Sequence, residues 1–380
     1  VTAEGRPPTE PRAVEAPLRV GYLHLGRADS GVRRYGRIIA EVASRRIDLE
    51  VVQADAGPRG SSWRDLRAAA RELRGVDVLH LQWKPADWGG GLRALVRLEV
   101  VLDTCQRPTV VTLHDVYPRS GIRERVLDPG AIALRRLRGR RAWLVVHAAE
   151  ERSRLTGLAA EARLAIVPHF AEERTLPMGR DEAKAALGFA DRRVITLVGH
   201  MTKRKNHQLV LEALRLLPHD VHAVFVGAPI EGREVRAEEL RAYATQLGVA
   251  DRVRFTGFVP EEELGRYLAA TDVAACPYRD LSASGALATW ISTGRPIVTS
   301  DLPAIRELDQ LSPGALRTFS PLTAEAFAER VGALLDSGPL EVDPAVDRLR
   351  RLLATPHAVE RYLDVYRSAT RHRASGPQKG

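Results

Sequence analysis

The chain runs to 380 residues with 44% hydrophobic content, more than one core usually serves and enough for two, so two domains are expected. Its formal net charge is +9, and the surplus lies early: residues 1–190 hold 32 Lys or Arg against 24 Asp or Glu, residues 191–380 hold 25 against 24. No apolar run approaches the ~20 residues that span a bilayer, and Cys105 and Cys276 sit in apolar sequence that suits buried thiols in a reducing compartment.

Residues 1–17 are rich in Pro, Glu and Arg, lack the apolar centre of a signal peptide, and read as a disordered leader. Strands are then expected at 18–25, 49–53, 77–81, 109–113, 143–147 and 164–167, with helices near 31–45 and 61–73. Short β-branched runs separated by helix-length segments are the pattern of a parallel sheet covered on both faces. The rhythm lapses after Pro168 and restarts behind a helix-like AKAALG run, placing a junction between about 171 and 190. Strands follow at 193–198, 221–226, 253–255, 273–276, 296–299 and 316–319, and helices at 205–217, 233–247, 261–270, 283–293, 303–309 and 323–336. The reading is therefore α/β: two Rossmann-like, doubly wound domains, 18–180 and 181–355, facing a cleft. A helix at 356–370 carries Val359, Leu363 and Tyr366 on one face with Tyr362 beside them, and 371–380 is a polar tail.

The glycine-bearing loop before the first helix (Gly26, Gly31, Gly36) is not GxGxxG. It fits a tight turn capped by Ser30, or a backbone approach of Gly31 to a diphosphate with Arg33 and Arg34 nearby. His114 leaves the end of a parallel strand toward the cleft, where imidazole donates to sugar hydroxyls or phosphate, while Asp115 suits a cap equally. His24 and Trp83 also lie near strand ends, where an indole suits packing on a carbohydrate or lipid but each residue more simply fills the core or its rim. Lys203, Arg204 and Lys205 follow the strand ending at Gly199 and precede a helix, an arrangement that suits a diphosphate leaving group or, as plainly, three solvated charges. The GK[ST] ending of a Walker loop is missing. Ser282 or Ser284 suits a helix cap whose neighbouring amides would hold phosphate, and Gly294 with Pro296 marks the exit of that helix.

Taken together, these loops and the two restarting halves resemble the retaining glycosyltransferases of the two-domain GT-B fold. The resemblance covers roughly residues 18–370 and implies transfer of a sugar from a nucleotide-sugar donor to a hydroxyl acceptor, in glycolipid, polysaccharide or natural-product synthesis. It implies a donor sugar held by Gly31 and His114, and a diphosphate held by Lys205 with Gly199, His200 and Arg204. His200 stands where the family usually has arginine. Phe258 and Val259 would lie near the base, and Ser284, Gly285, Ala286 and Leu287 would offer main-chain donors. Aligning Gly294-Arg295-Pro296 with the family's Gly-x-Pro turn puts Leu281 and Thr289 where two glutamates are usual, with Asp280 or Asp301 as stand-ins. No metal and no cofactor beyond the co-substrate is implied. The resemblance also implies acceptor selection by the first domain, with His24, Arg33, Arg34 and Trp83 on the acceptor side. Its basic residues suit a phosphorylated or lipid-linked acceptor and, equally, a soluble polyanion. The run Arg135 to Arg141 suits peripheral contact with the inner face of a membrane from the cytoplasm or simply a face turned to water. Nucleic acid is disfavoured, because no recognition helix or aromatic single-strand motif organises the charge. A noncatalytic sugar-nucleotide-binding protein on the same fold is the alternative.

Overall fold

The computed structural model describes residues 16–27, 30–57, 62–116, 129–155, 163–229, 235–282, 284–338 and 340–374. The first sheet consists of β1 (Leu18–His24), β2 (Leu49–Asp55), β3 (Val78–Trp83), β4 (Thr109–Leu113), β5 (Trp143–Val146) and β6 (Leu164–Ile166), ordered β2-β1-β3-β4-β5-β6 with every pair parallel. Helices α1 (Gly31–Ala43), α2 (Trp63–Glu72), α3 (Gly91–Cys105), α4 (Pro129–Gly139) and α5 (Ala149–Arg154) connect them. After α6 (Arg180–Ala186), a second sheet combines β7 (Arg193–Val198), β8 (Val221–Val226), β9 (Val253–Gly257), β10 (Val273–Cys276), β11 (Ile297–Ser300) and β12 (Leu316–Phe319) in the order β12-β11-β10-β7-β8-β9. It too is parallel. Its helices are α7 (His207–Leu214), α8 (Val235–Gln246), α9 (Glu261–Ala269), α10 (Gly285–Thr293), α11 (Pro303–Leu311), α12 (Ala324–Asp336) and α13 (Pro344–Leu352).

Each sheet is buried on both faces, which is why its strands read as continuous apolar runs rather than alternating ones. β3, for instance, is buried at all six positions. Strand order reverses between β1 and β3 in the first sheet and between β7 and β10 in the second. Crevices open beyond the carboxyl ends of the strands at such reversals, so the topology fixes where ligands enter before any side chain is considered.

The chain crosses between domains twice, and the crossings pair: Ala171 N–H donates to Leu353 O at 2.8 Å. The second crossing leads into α14 (Thr355–Ala374), which returns to the first domain. Its buried Val359, Tyr362, Leu363 and Tyr366 join Val20, Tyr22, Tyr35 and Ile39 in one core layer, as the spacing of these residues predicts. The hydroxyls in that layer find one another. Tyr366 bonds Tyr22 at 2.8 Å and His80 Nδ1 at 2.7 Å, while Tyr362 bonds Tyr35 at 2.9 Å and Thr112 at 2.8 Å. A fully paired network of this kind rigidifies an otherwise apolar layer.

The expected strands are all present, but several helices differ. The helix expected at 205–217 opens as a 3₁₀ turn, Lys203–Lys205, and is interrupted by Asn206 at φ 57° before α7 begins. The helix expected from 283 starts at Gly285, because Ser284 is its extended cap. Helices α3, α4, α5 and α13 were not expected. The valines of α3 mimic a strand, and α13 is a short element set by a cap, with Asp343 accepting from Ala345 and Val346 N–H and Pro344 opening the first turn. Within the basic run, Arg140 pairs with Glu99 at 2.7 Å and Asp103 at 2.6 Å, so part of that charge is spent inside the domain.

Tyr366→Phe keeps the ring but removes the partner of both Tyr22 and His80. It is expected to cost about 1–3 kcal/mol, read as a shift in the denaturant midpoint of the first domain's unfolding.

Candidate active site

The site begins at the reversal point of the second sheet. β7 ends at Val198, and Gly199, at φ 100°, turns the chain so that Lys205 folds back and its Nζ donates to Val198 O at 2.7 Å. A Cβ on Gly199 would stand 3.0 Å from that nitrogen, so glycine is what lets the lysine in. The ammonium lies 5.5 Å from the centre of the Tyr278 ring, beyond the end of β10. Burial lowers its pKa to about 8, with Arg204 adding to the shift and Cys276 opposing it. Across the same reversal, Ser284 Oγ caps α10 by accepting from Leu287 N–H at 3.2 Å. The first-turn amides of Gly285 and Ala286 have no acceptor within the helix and carry its positive dipole end.

The first domain presents the start of α1. Ser30 caps it and donates to Asp87 at 2.7 Å, and a Cβ at Gly31 would meet nothing within 4 Å. Arg34 holds Glu172 through two bonds of 2.6 Å, Glu261 of α9 stands 3.6 Å from Arg34, and Arg174 reaches Glu261 at 2.6 Å. The resulting ion network joins α1, the connecting segment and the second domain.

Between these surfaces lies a cavity of about 280 Å³. Gly31, Arg34 and Tyr35 line it from α1, His169 and Glu172 from the connecting segment, His200 from behind β7, and Gly285, Ala286 and Thr289 from α10. Gly31, Arg34, His200, Gly285 and Ala286 were all picked out from sequence, and Lys205 stands beside them at Gly199.

Residues 192–337 match the family model described as Glycosyl transferases group 1. Among curated relatives, a D-inositol 3-phosphate glycosyltransferase of Xylanimonas cellulosilytica is 27% identical over 332 residues, 81% of this chain and 76% of its own length. Its counterpart in Mycolicibacterium gilvum is 29% identical over 61% of this chain, an alignment spanning 53% of that relative. Among solved structures, the Anabaena protein HepE in complex with UDP and glucose aligns over 94% of this chain and all of its own, with a TM-score of 0.66 at 16% identity. A sucrose-phosphate synthase from Thermosynechococcus elongatus aligns over the same shares with a TM-score of 0.69 at 15% identity. The chain is a glycosyltransferase of the GT-B fold.

Other residues singled out from the sequence sit elsewhere in this glycosyltransferase. His114 is 6% exposed and lies behind Tyr35, ring centres 4.9 Å apart, rather than lining the cavity. Its Nε2 meets Gln82 Oε1 at 2.8 Å; an amide oxygen only accepts, so the proton sits on Nε2 and Nδ1 is left as an acceptor. Burial first, and the neighbouring His147 and His169 next, hold the ring neutral. His24 is buried against Gln53 and Trp83 packs on Trp88 in the core, so neither lines the cavity; a strand-end position is also a core position when helices cover both faces. Arg33 is tied to Asp55 and Gly26 O. Arg204 is exposed, and its carbonyl accepts from Arg279 N–H. Phe258 is 70% exposed just past β9, with Val259 partly buried beside it. Ser284 and Leu287 line a second cavity on the other side of α10.

Of the two positions where the resemblance implies glutamates, Leu281 is buried and apolar, whereas Thr289 lines the cavity and donates to Gly285 O at 2.9 Å. Asp280 and Asp301 do not stand in for them. Asp280 faces Arg154 at 3.4 Å and Asp301 faces Arg306 at 2.8 Å, and neither lines the cavity. Sequence reasoning missed Tyr35, His169 and Glu172. The polar PHFAEE run directly behind β6 was the available signal for the last two. Among the described residues, no group of three or more His, Cys, Asp or Glu is placed to hold a metal ion.

Gly31→Val puts an isopropyl group into open space rather than into protein. The variant is expected to fold within about 0.5 kcal/mol of the parent while losing activity through a raised KM, measured by steady-state kinetics alongside thermal unfolding.

Proposed function

We propose that this enzyme transfers a sugar from a nucleotide-sugar donor to a hydroxyl acceptor with retention of configuration at the anomeric carbon. The observation that carries the reading is the placement of the half-buried Lys205 and the start of α10 at one strand-order reversal, with Gly285 and Ala286 of α10 lining the same cavity as Gly31 and Arg34. As the bond from the anomeric carbon to the diphosphate breaks, negative charge gathers on the leaving group, where the ammonium and the Gly285 and Ala286 amides offset it. The acceptor oxygen bonds to the same carbon from the face the diphosphate leaves, and its proton passes to the departing phosphate oxygen. Glu172, the carboxylate among the described lining residues, is held by Arg34 and so does not serve as a covalent nucleophile.

In this reading Phe258 flanks the base, and Tyr35 with His114 behind it bounds the sugar. Arg34 changes partner from Glu172 to an anionic group of the acceptor. Relatives named as D-inositol 3-phosphate glycosyltransferases support a phosphorylated polyol as that acceptor. A cytoplasmic site of action belongs to the same proposal; among the described residues no helix is long and apolar enough to cross a membrane. The test is mass-spectrometric detection of sugar transfer from a panel of UDP-, GDP- and dTDP-sugars to phosphorylated polyols and to extract acceptors. A nucleotide-dependent mass increment is expected, and donor binding without any increment across the panel would sink the catalytic reading.

Lys205→Ala is expected to lower kcat by about 10²–10³-fold, the usual loss when one preorganised charge at a developing oxyanion is removed. Equal turnover of the two proteins at saturating substrates would refute the leaving-group role. The lysine acts as a cation, and its pKa lies near 8. kcat/KM should therefore hold below about pH 8 and fall toward tenfold per unit above it. Lys205→Arg stays charged and should move that descending limb upward, which a pH series from 6 to 10 checks.

A further inference from the structure

His169 lines the cavity from the connecting segment just behind β6, and the backbone settles its hydrogen-bonding roles. Nδ1 stands 2.9 Å from Phe170 O. A carbonyl only accepts, so the proton is on Nδ1 and Nε2 is left as a lone-pair acceptor. Burial first, and His147 next, hold the ring neutral, so Nε2 remains an acceptor near neutral pH. The ring is partly exposed, and Tyr35, Phe170 and His147 pack about it with centres 5.0, 5.3 and 5.5 Å away. With Nδ1 turned to the backbone and three rings around it, the edge that carries Nε2 is the part of the imidazole left to a ligand. Among the described residues nothing donates to that nitrogen.

Apart from the exposed His200, the other polar side chains of the described lining are already engaged. Arg34 and Glu172 hold each other, Arg174 holds Glu261, the Tyr35 hydroxyl bonds Tyr362, and Ser292 donates to Thr289 O at 2.7 Å. Two kinds of group stay open. The first-turn amides of α10 are donors and suit an anion. Thr289 Oγ1, whose proton goes to Gly285 O, and His169 Nε2 are neutral acceptors, one from the second domain and one from the connecting segment. Such acceptors suit hydroxyl groups, because a carboxylate or phosphate set against either would bring lone pair against lone pair.

We propose that His169 is a specificity-determining residue that reads the transferred sugar: its Nε2 accepts a hydrogen bond from one hydroxyl of that sugar. The inference rests on the sugar-transfer reading, which sets the sugar against Tyr35, the ring beside His169. A donor that lacks the hydroxyl leaves the acceptor without a partner in the closed cleft and binds more weakly. His169 positions the sugar, and no proton or covalent bond passes through it.

Calorimetric binding to the full chain, with no acceptor present, tests the assignment with UDP-glucose, UDP-N-acetylglucosamine, GDP-mannose and dTDP-glucose, each set against its free nucleoside diphosphate. His169→Asn places an amide N–H near the position of Nδ1, which keeps the bond to Phe170 O, and removes the acceptor at Nε2. His169→Gln does the reverse, because its amide oxygen reaches the position of Nε2. For the sugar nucleotide that binds the parent most tightly, His169→Asn should lower affinity by about tenfold, the scale of one hydrogen bond. Affinity for the matching diphosphate and the thermal midpoint should hold, and His169→Gln should stay near the parent. Donors deoxygenated at single sugar positions complete the cycle: one of them loses about tenfold against the parent and nothing further against His169→Asn. The proposal is overturned if His169→Asn leaves sugar-nucleotide affinity unchanged, if it weakens the free diphosphate equally, if His169→Gln falls as far as His169→Asn, or if every deoxy donor loses as much against the variant as against the parent. Each of these leaves the transfer reading standing wherever the parent still transfers sugar. Absence of binding by all four sugar nucleotides sinks both readings together, so the two failures are told apart.

Discussion

A half-buried ammonium with one carbonyl partner is the interaction on which the rest of this site depends. Lys205 reaches Val198 O through the gap that Gly199 leaves, over the ring of Tyr278. Drawing a charge partly out of water is unfavourable unless an opposite charge or a full set of hydrogen bonds compensates. Here the protein supplies one acceptor and a ring face, which leaves the ammonium with capacity to pair with an anion. The fold tolerates this because the lysine sits at the strand-order reversal, where ends of β7 and β10 diverge and leave room that a continuous sheet would close.

The opposite wall is built on a different principle. Tyr35 of α1 lies within 5.4 Å, centre to centre, of His114, His147 and His169, and all three rings are held neutral by burial. The same Tyr35 hydroxyl bonds Tyr362, so the far end of the chain buttresses the helix that carries Gly31 and Arg34. The returning helix thus acts on the site through packing without touching it.

The fold was legible because parallel sheets covered on both faces write themselves as short apolar runs, and every expected strand was found. Helix starts were less so: Ser284 and Asn206 act through local backbone geometry that periodicity does not carry. For the cavity, the loops were readable as main chain, since Gly31 and Gly285 line it and Gly199 makes room for Lys205. Direction of side chains was not. His24, Trp83 and His114 occupy equivalent strand-end positions, yet the first two turn into the core and the third stops one ring short of the cavity. Arg33 and Arg34 are adjacent in sequence, but one helical step sends Arg33 to Asp55 and Arg34 into the cleft. Only the rotation of α1 against the sheet decides between them, and that is set by packing.

The two missing glutamates narrow how a sugar nucleotide is held. Leu281 offers no hydrogen bond and is turned into the apolar side of α10, while Asp280 and Asp301 are already paired with arginines. Carboxylate acceptors for sugar hydroxyls are thus withdrawn from this edge of the cleft. Thr289 is different, because it lines the cavity and its own proton is committed to Gly285 O, which leaves its oxygen able only to accept. An oxygen that only accepts performs, without charge, the hydrogen-bonding half of what a carboxylate does for a ribose hydroxyl. The electrostatic half is not replaced, so under the proposed sugar-transfer reading donor binding leans further on Lys205 and the first-turn amides of α10, and selectivity among sugars on the shape set by Tyr35 and His169.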